Sequence, residues 1–281
     1  MKRQSARILP AGIHRELSIT KYFIRTLLLS PACHSRPAVR FTNVGTIWLI
    51  SILLLLRPRF ITGAGLHKSN MLIVFRNLRQ IMKKGILLHA CCAVCTAGVY
   101  DQLKNDYNIT LFWYNPNIFP KAEHDRRLTE LLNFCDKLDI KIIIGDYFWQ
   151  EEHKYWLKTI KGLEGEPERG RRCEICYKLR LEATAAVAGQ INNHHPNSFD
   201  YFGAELSVSP HKNAEMINRI GERVEKGVHS TRQSLAQDAE QKMKYLLSNF
   251  KKRGGFQKAS EISKKYKLYR QGYCGCEFSR R

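Results

Sequence analysis

Seven of the nine cysteines in this chain fall into three tight groups. Cys91, Cys92 and Cys95 lie in HACCAVC, Cys173 and Cys176 in RRCEICYKLR, and Cys274 and Cys276 in YCGC. Thiolates at such spacings bind zinc, bind iron–sulfur clusters, or carry out dithiol redox chemistry. Spacing alone leaves the three open. Zinc is content with four of the five sulfurs in the first two groups. Adjacent Cys91 and Cys92 suit tetrahedral zinc poorly, because two neighbouring side chains must converge on one ion. The spread iron corners of a cluster suit such a pair better. Cys135, in LLNFCDKL, reads as a small buried hydrophobe, and Cys33 stands alone. Short CC, CxxC and CxC pairs are not the regular stapling of a secreted disulfide framework, so a reducing, cytoplasmic setting is expected.

These groups need elements to position them. Gly85 to Ala90 is a short apolar run, read as a first strand that ends at the cysteines. Ala97 to Leu103 reads as a helix, Asn108 to Tyr114 as a second strand, and Lys121 to Leu138 as a helix with apolar residues at helical spacing. Ile140 to Gly145 is a third strand, Tyr147 to Lys161 an aromatic helix, and Cys176 to Ala188 a helix rich in Leu and Ala. Phe199 to Leu206 is a fourth strand, and a helix follows over Asn213 to Gly221. Strands alternating with helices predict an α/β fold with a parallel sheet and flanking helices.

In such sheets ligands bind beyond the carboxyl ends of the strands. His89 and the first cysteine group follow strand one, and Asn115-Pro116-Asn117 follow strand two. Asp146 and Tyr147 follow strand three, and Ser207, Ser209, His211 and Lys212 follow strand four. All are expected at one edge. The RRCEIC cysteines open a helix, whose dipole favours thiolates.

The net charge of +21 favours an anionic partner such as nucleic acid. Residues 1–81 hold 13 of the 46 Lys and Arg and one acid, Glu16, which leaves +9 for residues 82–281. The first 81 residues also hold a 13-residue apolar run, Val44 to Leu56, stopped by Arg57-Pro58-Arg59. A membrane-spanning helix needs roughly 18–20 residues, so no stable membrane insertion is expected. Three readings compete for residues 1–81: a leader, a weak anchor, or a basic upstream extension outside the working protein. Met82, in MKKGILLHACC, looks like a natural start and favours the extension, with 82–281 as the catalytic domain.

Residues 82–281 resemble the QueH-type epoxyqueuosine reductase family. The resemblance is carried by ILLHACCAVC, FWYNPNIFPKAEHDRRL, GLEGEPERGRRCEICYKLRLE, LSVSPHKNAEMIN, FKKRGGFQKASEIS and YRQGYCGC, in the family's order. It implies a Rossmann-like sheet akin to nucleotide hydrolase-type (HUP-like) sheets. It implies an oxidoreductase that reduces epoxyqueuosine to queuosine, the last step of queuosine biosynthesis, on tRNA with a GUN anticodon. It implies a 4Fe–4S cluster on Cys91, Cys92, Cys173 and Cys176, and a redox-active disulfide between Cys274 and Cys276. Cys95 is left as a fifth thiol, open to an additional mononuclear iron or to substrate. An external electron donor, unidentified by sequence, is required.

The residues fit this chemistry. Removing an epoxide oxygen as water takes two electrons and two protons, and iron–sulfur clusters move electrons singly. A disulfide across one glycine closes a very small ring, suited to redox exchange. Arg270, Arg280 and Arg281 are the candidate cations beside that pair. Trp113, Tyr114, Tyr147, Phe148, Trp149, Tyr269 and Tyr273 are candidates for stacking on splayed anticodon bases. An ATP-dependent tRNA-modifying enzyme would need a glycine-rich phosphate loop after strand one, which HACCAVC lacks. The alternative is a zinc-binding nucleic-acid module without catalysis.

Overall fold

The structure, a computed structural model, describes residues 83–232 and 243–279. The expectations for residues 1–81, for Cys33, and for Arg280 and Arg281 lie outside the described residues.

Five parallel strands form one sheet in the order β3-β2-β1-β4-β5. They are β1 (Lys84–Ala90), β2 (Tyr107–Trp113), β3 (Lys141–Ile144), β4 (Tyr201–Ala204) and β5 (Lys244–Tyr245). β1 is central. Its run Gly85 to Ala90 is buried throughout, as expected where helices cover both faces of a parallel sheet. It pairs with β2 from Lys84↔Tyr107 to Ala90↔Trp113 and with β4 from Ile86↔Tyr201 to His89↔Ala204. Strand order therefore reverses between β1 and β4, the point at which sheets of this kind bind ligands beyond the carboxyl ends.

The helices are α1 (Ala93–Leu103), α2 (Lys121–Leu138), α3 (Trp149–Thr159), α4 (Arg171–His194), α5 (Ala214–Arg232) and α6 (Gly255–Lys265). Among the described residues no helix is long and apolar enough to cross a membrane.

The structure departs from the sequence reading at several boundaries. α1 begins at Ala93 rather than Ala97, because extended Cys92 (φ −175°) takes the N-cap and its sulfur accepts from the Cys95 amide. α4 begins at Arg171 rather than Cys176, so both RRCEIC cysteines lie within the helix. β4 stops at Ala204, where a 3-10 turn, Glu205–Val208, takes over. α5 does not end at Gly221. That glycine lets the Tyr245 ring of β5 lie against the helix, since a Cβ would sit 2.3 Å from it. β5 and α6 were not expected. β5 is only two residues long and carries no period, and α6 lies in the FKKRGGFQKASEIS stretch, where a glycine pair interrupts the pattern.

Candidate active site and metal centre

The turn from β1 into α1 carries the first cysteine group. The sulfurs of Cys91, Cys92 and Cys95 all lie within 4.8 Å of one another. Cys91 Sγ is 4.0 Å from Cys92 Sγ, and the Cys95 amide donates to Cys92 Sγ at 3.4 Å. Cys92 sits at a helix N-terminus, where the dipole favours negative charge. Hydrogen bonds from the Cys91 and Cys95 thiols hold Cys92 well below the ordinary thiol range. The reciprocal bonds push Cys91 and Cys95 well above it. A bound thiophilic cation would take the place of the thiol protons of this trio.

The second group opens α4. The Arg169 amide donates to Cys173 Sγ at 3.3 Å. Arg180, one turn beyond Cys176, donates from Nη2 to Cys176 Sγ at 2.9 Å and from Nε to the Cys176 carbonyl at 3.2 Å. Burial pushes Cys176 up, and Arg180 pulls the other way. Arg180 also lies in the fields of Cys91 and Cys274, so all three cysteine groups act on one guanidinium. Among the described residues, the compact ligand group is Cys91, Cys92 and Cys95; Cys173 and Cys176 stand apart from it. The donor set of soft thiols, without a carboxylate in the trio, fits zinc or iron–sulfur rather than a hard cation.

The third group is held by arginines. Arg127, buried on α2, donates to the carbonyls of Cys274 and Tyr273, both at 3.2 Å. Arg172, buried on α4, donates to the Phe278 carbonyl at 3.3 Å. The Phe119 amide donates to the Gly275 carbonyl at 2.9 Å, and the Tyr273 hydroxyl donates to the Phe119 carbonyl. Gly275 has φ 106°, and a Cβ there would meet Ile118 at 2.8 Å, so the CGC turn admits only glycine. The cysteines of the pair are free thiols and unlike each other. Burial pushes the Cys274 thiol up, but the Lys212 ammonium and a 2.8 Å contact with Ser279 Oγ bring it below the ordinary value. Burial pushes Cys276 up to about 12.

The cation beside Cys274 is thus Lys212, not the expected Arg270, which donates to Ser260 Oγ at 3.0 Å. Lys212 Nζ also lies 3.2 Å from Glu168.

The residues expected after each strand do collect at the carboxyl edge, but most of them build the frame. Asn115 donates from its backbone to Asp146 at 2.8 Å and from its side chain to the Ala90 carbonyl at 2.8 Å, tying the ends of β1, β2 and β3 together. Ser207 pairs with Ser248 at 3.1 Å, and Ser209 accepts from the His211 amide. His89 donates from Nε2 to the Tyr114 carbonyl at 3.0 Å, and burial lowers its pKa to about 3, so it is neutral. Glu205, at the end of β4, is buried and accepts from Thr96 Oγ1 at 2.9 Å; burial raises its pKa well above the carboxylate range. His89 Nδ1, Asn115 Oδ1, Asp146 Oδ1 and Glu205 Oε1 find no partner among the described residues. One unfilled buried acceptor therefore stands at the end of each of the first four strands. Of the aromatics, Trp113, Tyr114 and Trp149 are core, while Tyr147 and Phe148 are about half exposed beyond β3. Tyr269 lies against Arg126, 3.6 Å from ring centre to guanidinium carbon.

Sequence reasoning missed Arg180, Glu205, Gln271, Ser279 and the two clamping arginines. Arg180 carried a signal, since i+4 from Cys176 places it on the same helix face. The others are joined to their partners only by the fold.

Comparison with known proteins agrees with this arrangement. The model of the family described as "Epoxyqueuosine reductase QueH" matches residues 86–281. A Streptococcus pyogenes (serotype M1) protein named epoxyqueuosine reductase QueH is 35% identical over 207 residues, 72% of each chain. Its namesake from Histophilus somni is 36% identical over 197 residues, 70% of this chain and 72% of the relative. The Thermotoga maritima namesake is 30% identical over 197 residues, 69% of this chain and 89% of the relative. With the three cysteine groups placed along the matched segment, the chain belongs to the QueH family of epoxyqueuosine reductases and is an oxidoreductase.

Proposed function

We propose that this protein reduces epoxyqueuosine to queuosine within tRNA, and that residues 82–281 suffice for it. Cys91, Cys92, Cys173 and Cys176 would hold a 4Fe–4S cluster, with Cys95 available to an additional iron. Bound there, the cluster supplies electrons one at a time at low potential. Two contacts support the reading: Gln271 of the C-terminal segment donates to Cys92, and Arg180, hydrogen-bonded to Cys176, lies in the fields of Cys91 and Cys274.

The chain's own groups account for the electrons. Converting an epoxide to an alkene and water consumes two electrons and two protons. Oxidising Cys274 and Cys276 to a disulfide releases two electrons; with Cys274 reacting as the thiolate, Cys276 gives up one proton and water supplies the second. Lys212 favours the thiolate form of Cys274, the form that reacts, while buried Cys276 keeps its proton until the pair closes. An external donor must then reduce the disulfide. The surplus of +9 on residues 82–281 suits the tRNA backbone, and exposed Tyr147 and Phe148 offer faces on which unstacked bases can lie.

The test is to purify the protein without oxygen and incubate it with epoxyqueuosine-containing tRNA and a strong reductant. It is run on the full chain and on residues 82–281. Brown protein and queuosine in both are expected. Colourless protein with bound zinc and no turnover would instead mark the binding module.

A further inference from the structure

Arg180 is the least expected charge in this site. It lies in the interior of α4 and is 4% exposed. Its side chain makes two hydrogen bonds, both to Cys176: one to the carbonyl and one to the sulfur. The ring of Tyr177 lies 5.9 Å away, and His89 and Lys212 feel the charge of Arg180. No carboxylate pairs with it among the described residues. A buried cation without an anionic partner costs several kcal/mol, on the order of what breaking a buried ion pair costs. Burial works against the charged guanidinium, and the polar groups it meets are the carbonyl and the sulfur of Cys176. Arg180 is therefore a cation set directly against a sulfur of the site.

We propose that Arg180 is a positioning residue for the group held by the thiols: its N–H···S bond orients the Cys176 ligand, and its charge favours the reduced state. This rests on the reading that those thiols hold iron and sulfide. Each electron added to a thiolate-ligated cluster adds a negative charge. A fixed cation and a hydrogen bond to a ligating sulfur stabilise the more negative state, which raises the reduction potential. The planar fork of arginine reaches the carbonyl and the sulfur of one residue together, whereas a lysine ammonium gives the charge without the fork.

The test uses the full chain, reconstituted anaerobically with ferrous iron and sulfide. Iron content, visible absorbance and the reduction potential from an EPR-monitored titration are read for wild type, Arg180→Gln and Arg180→Lys. Arg180→Gln is expected to keep its iron and to titrate at a more negative potential. Arg180→Lys is expected to shift in the same direction by less, and it carries the test if the glutamine variant does not fold. Iron-loaded wild type with a wild-type potential in every folded variant would overturn the role of Arg180 alone. A wild-type chain that takes up no iron would overturn the cluster reading and this inference together.

Discussion

The side-chain amide of Gln271 donates to Cys92 Sγ at 3.0 Å, across 179 residues of sequence. Hydrogen bonds from Cys91 and Cys95 lower the Cys92 thiol well below its ordinary value, and the Gln271 amide adds to them. The same short segment carries Cys274 and Cys276. The first cysteine group and the C-terminal pair are thus joined by one direct bond, and a change at either is felt by the other.

Gln271→Leu is expected to leave iron content unchanged and to lower turnover roughly thirtyfold, since a hydrogen bond to a charged group is worth about 2 kcal/mol. Iron analysis beside a queuosine assay measures both. Wild-type turnover would show that the contact is not used.

Cys91→Ser, Cys92→Ser, Cys173→Ser and Cys176→Ser are each expected to lower iron content and abolish reduction, because a hydroxyl is a poorer ligand than a thiolate for iron–sulfur. A variant that keeps full iron occupancy removes its residue from the ligand set. Cys95→Ser is expected to keep the cluster absorbance.

The double variant Cys274→Ser/Cys276→Ser is expected to keep normal iron and lose turnover. In a Cys276→Ser background, Lys212 and Ser279 hold Cys274 below the ordinary thiol value. Its alkylation, followed by peptide mass, should therefore begin at lower pH than that of an ordinary cysteine. Lys212→Met removes the cation and should move that onset to higher pH. An onset that stays in place means that Lys212 does not set the Cys274 thiolate.

Glu205 gives a stability signature with a definite sign. Burial raises its folded pKa well above 4.5. A group raised in this way contributes stability that is full below its unfolded pKa and is lost as pH rises through its folded pKa. Between those values stability should fall by up to ~1.4 kcal/mol per pH unit. Glu205→Gln keeps the shape without the titration, so denaturant unfolding across this range should show a flatter pH dependence. An equal slope in both proteins would mean that Glu205 is ionised in the fold.

The local pattern was enough for much of the fold. The buried run Gly85 to Ala90 gave β1, and the apolar spacing of Lys121 to Leu138 gave α2 with the bounds observed. Both rest on period and burial, which a sequence displays directly. Boundaries set by a side chain acting on the backbone were not legible, such as the sulfur cap of Cys92 or the turn at Glu205. β5 was invisible because two residues carry no period.

Residue types and spacing by themselves determined the three cysteine groups, the parallel α/β sheet, and the edge at which the strand-end polar residues collect. The tertiary structure alone decided how those sulfurs are served. It put Lys212 rather than Arg270 beside Cys274, made Gln271 a partner of Cys92, and bracketed the CGC turn between Arg127 and Arg172. The reason is physical. A charge or hydrogen bond acts through a few ångströms of low-dielectric interior, and which side chains come that close across such long stretches of sequence is settled only when the sheet closes.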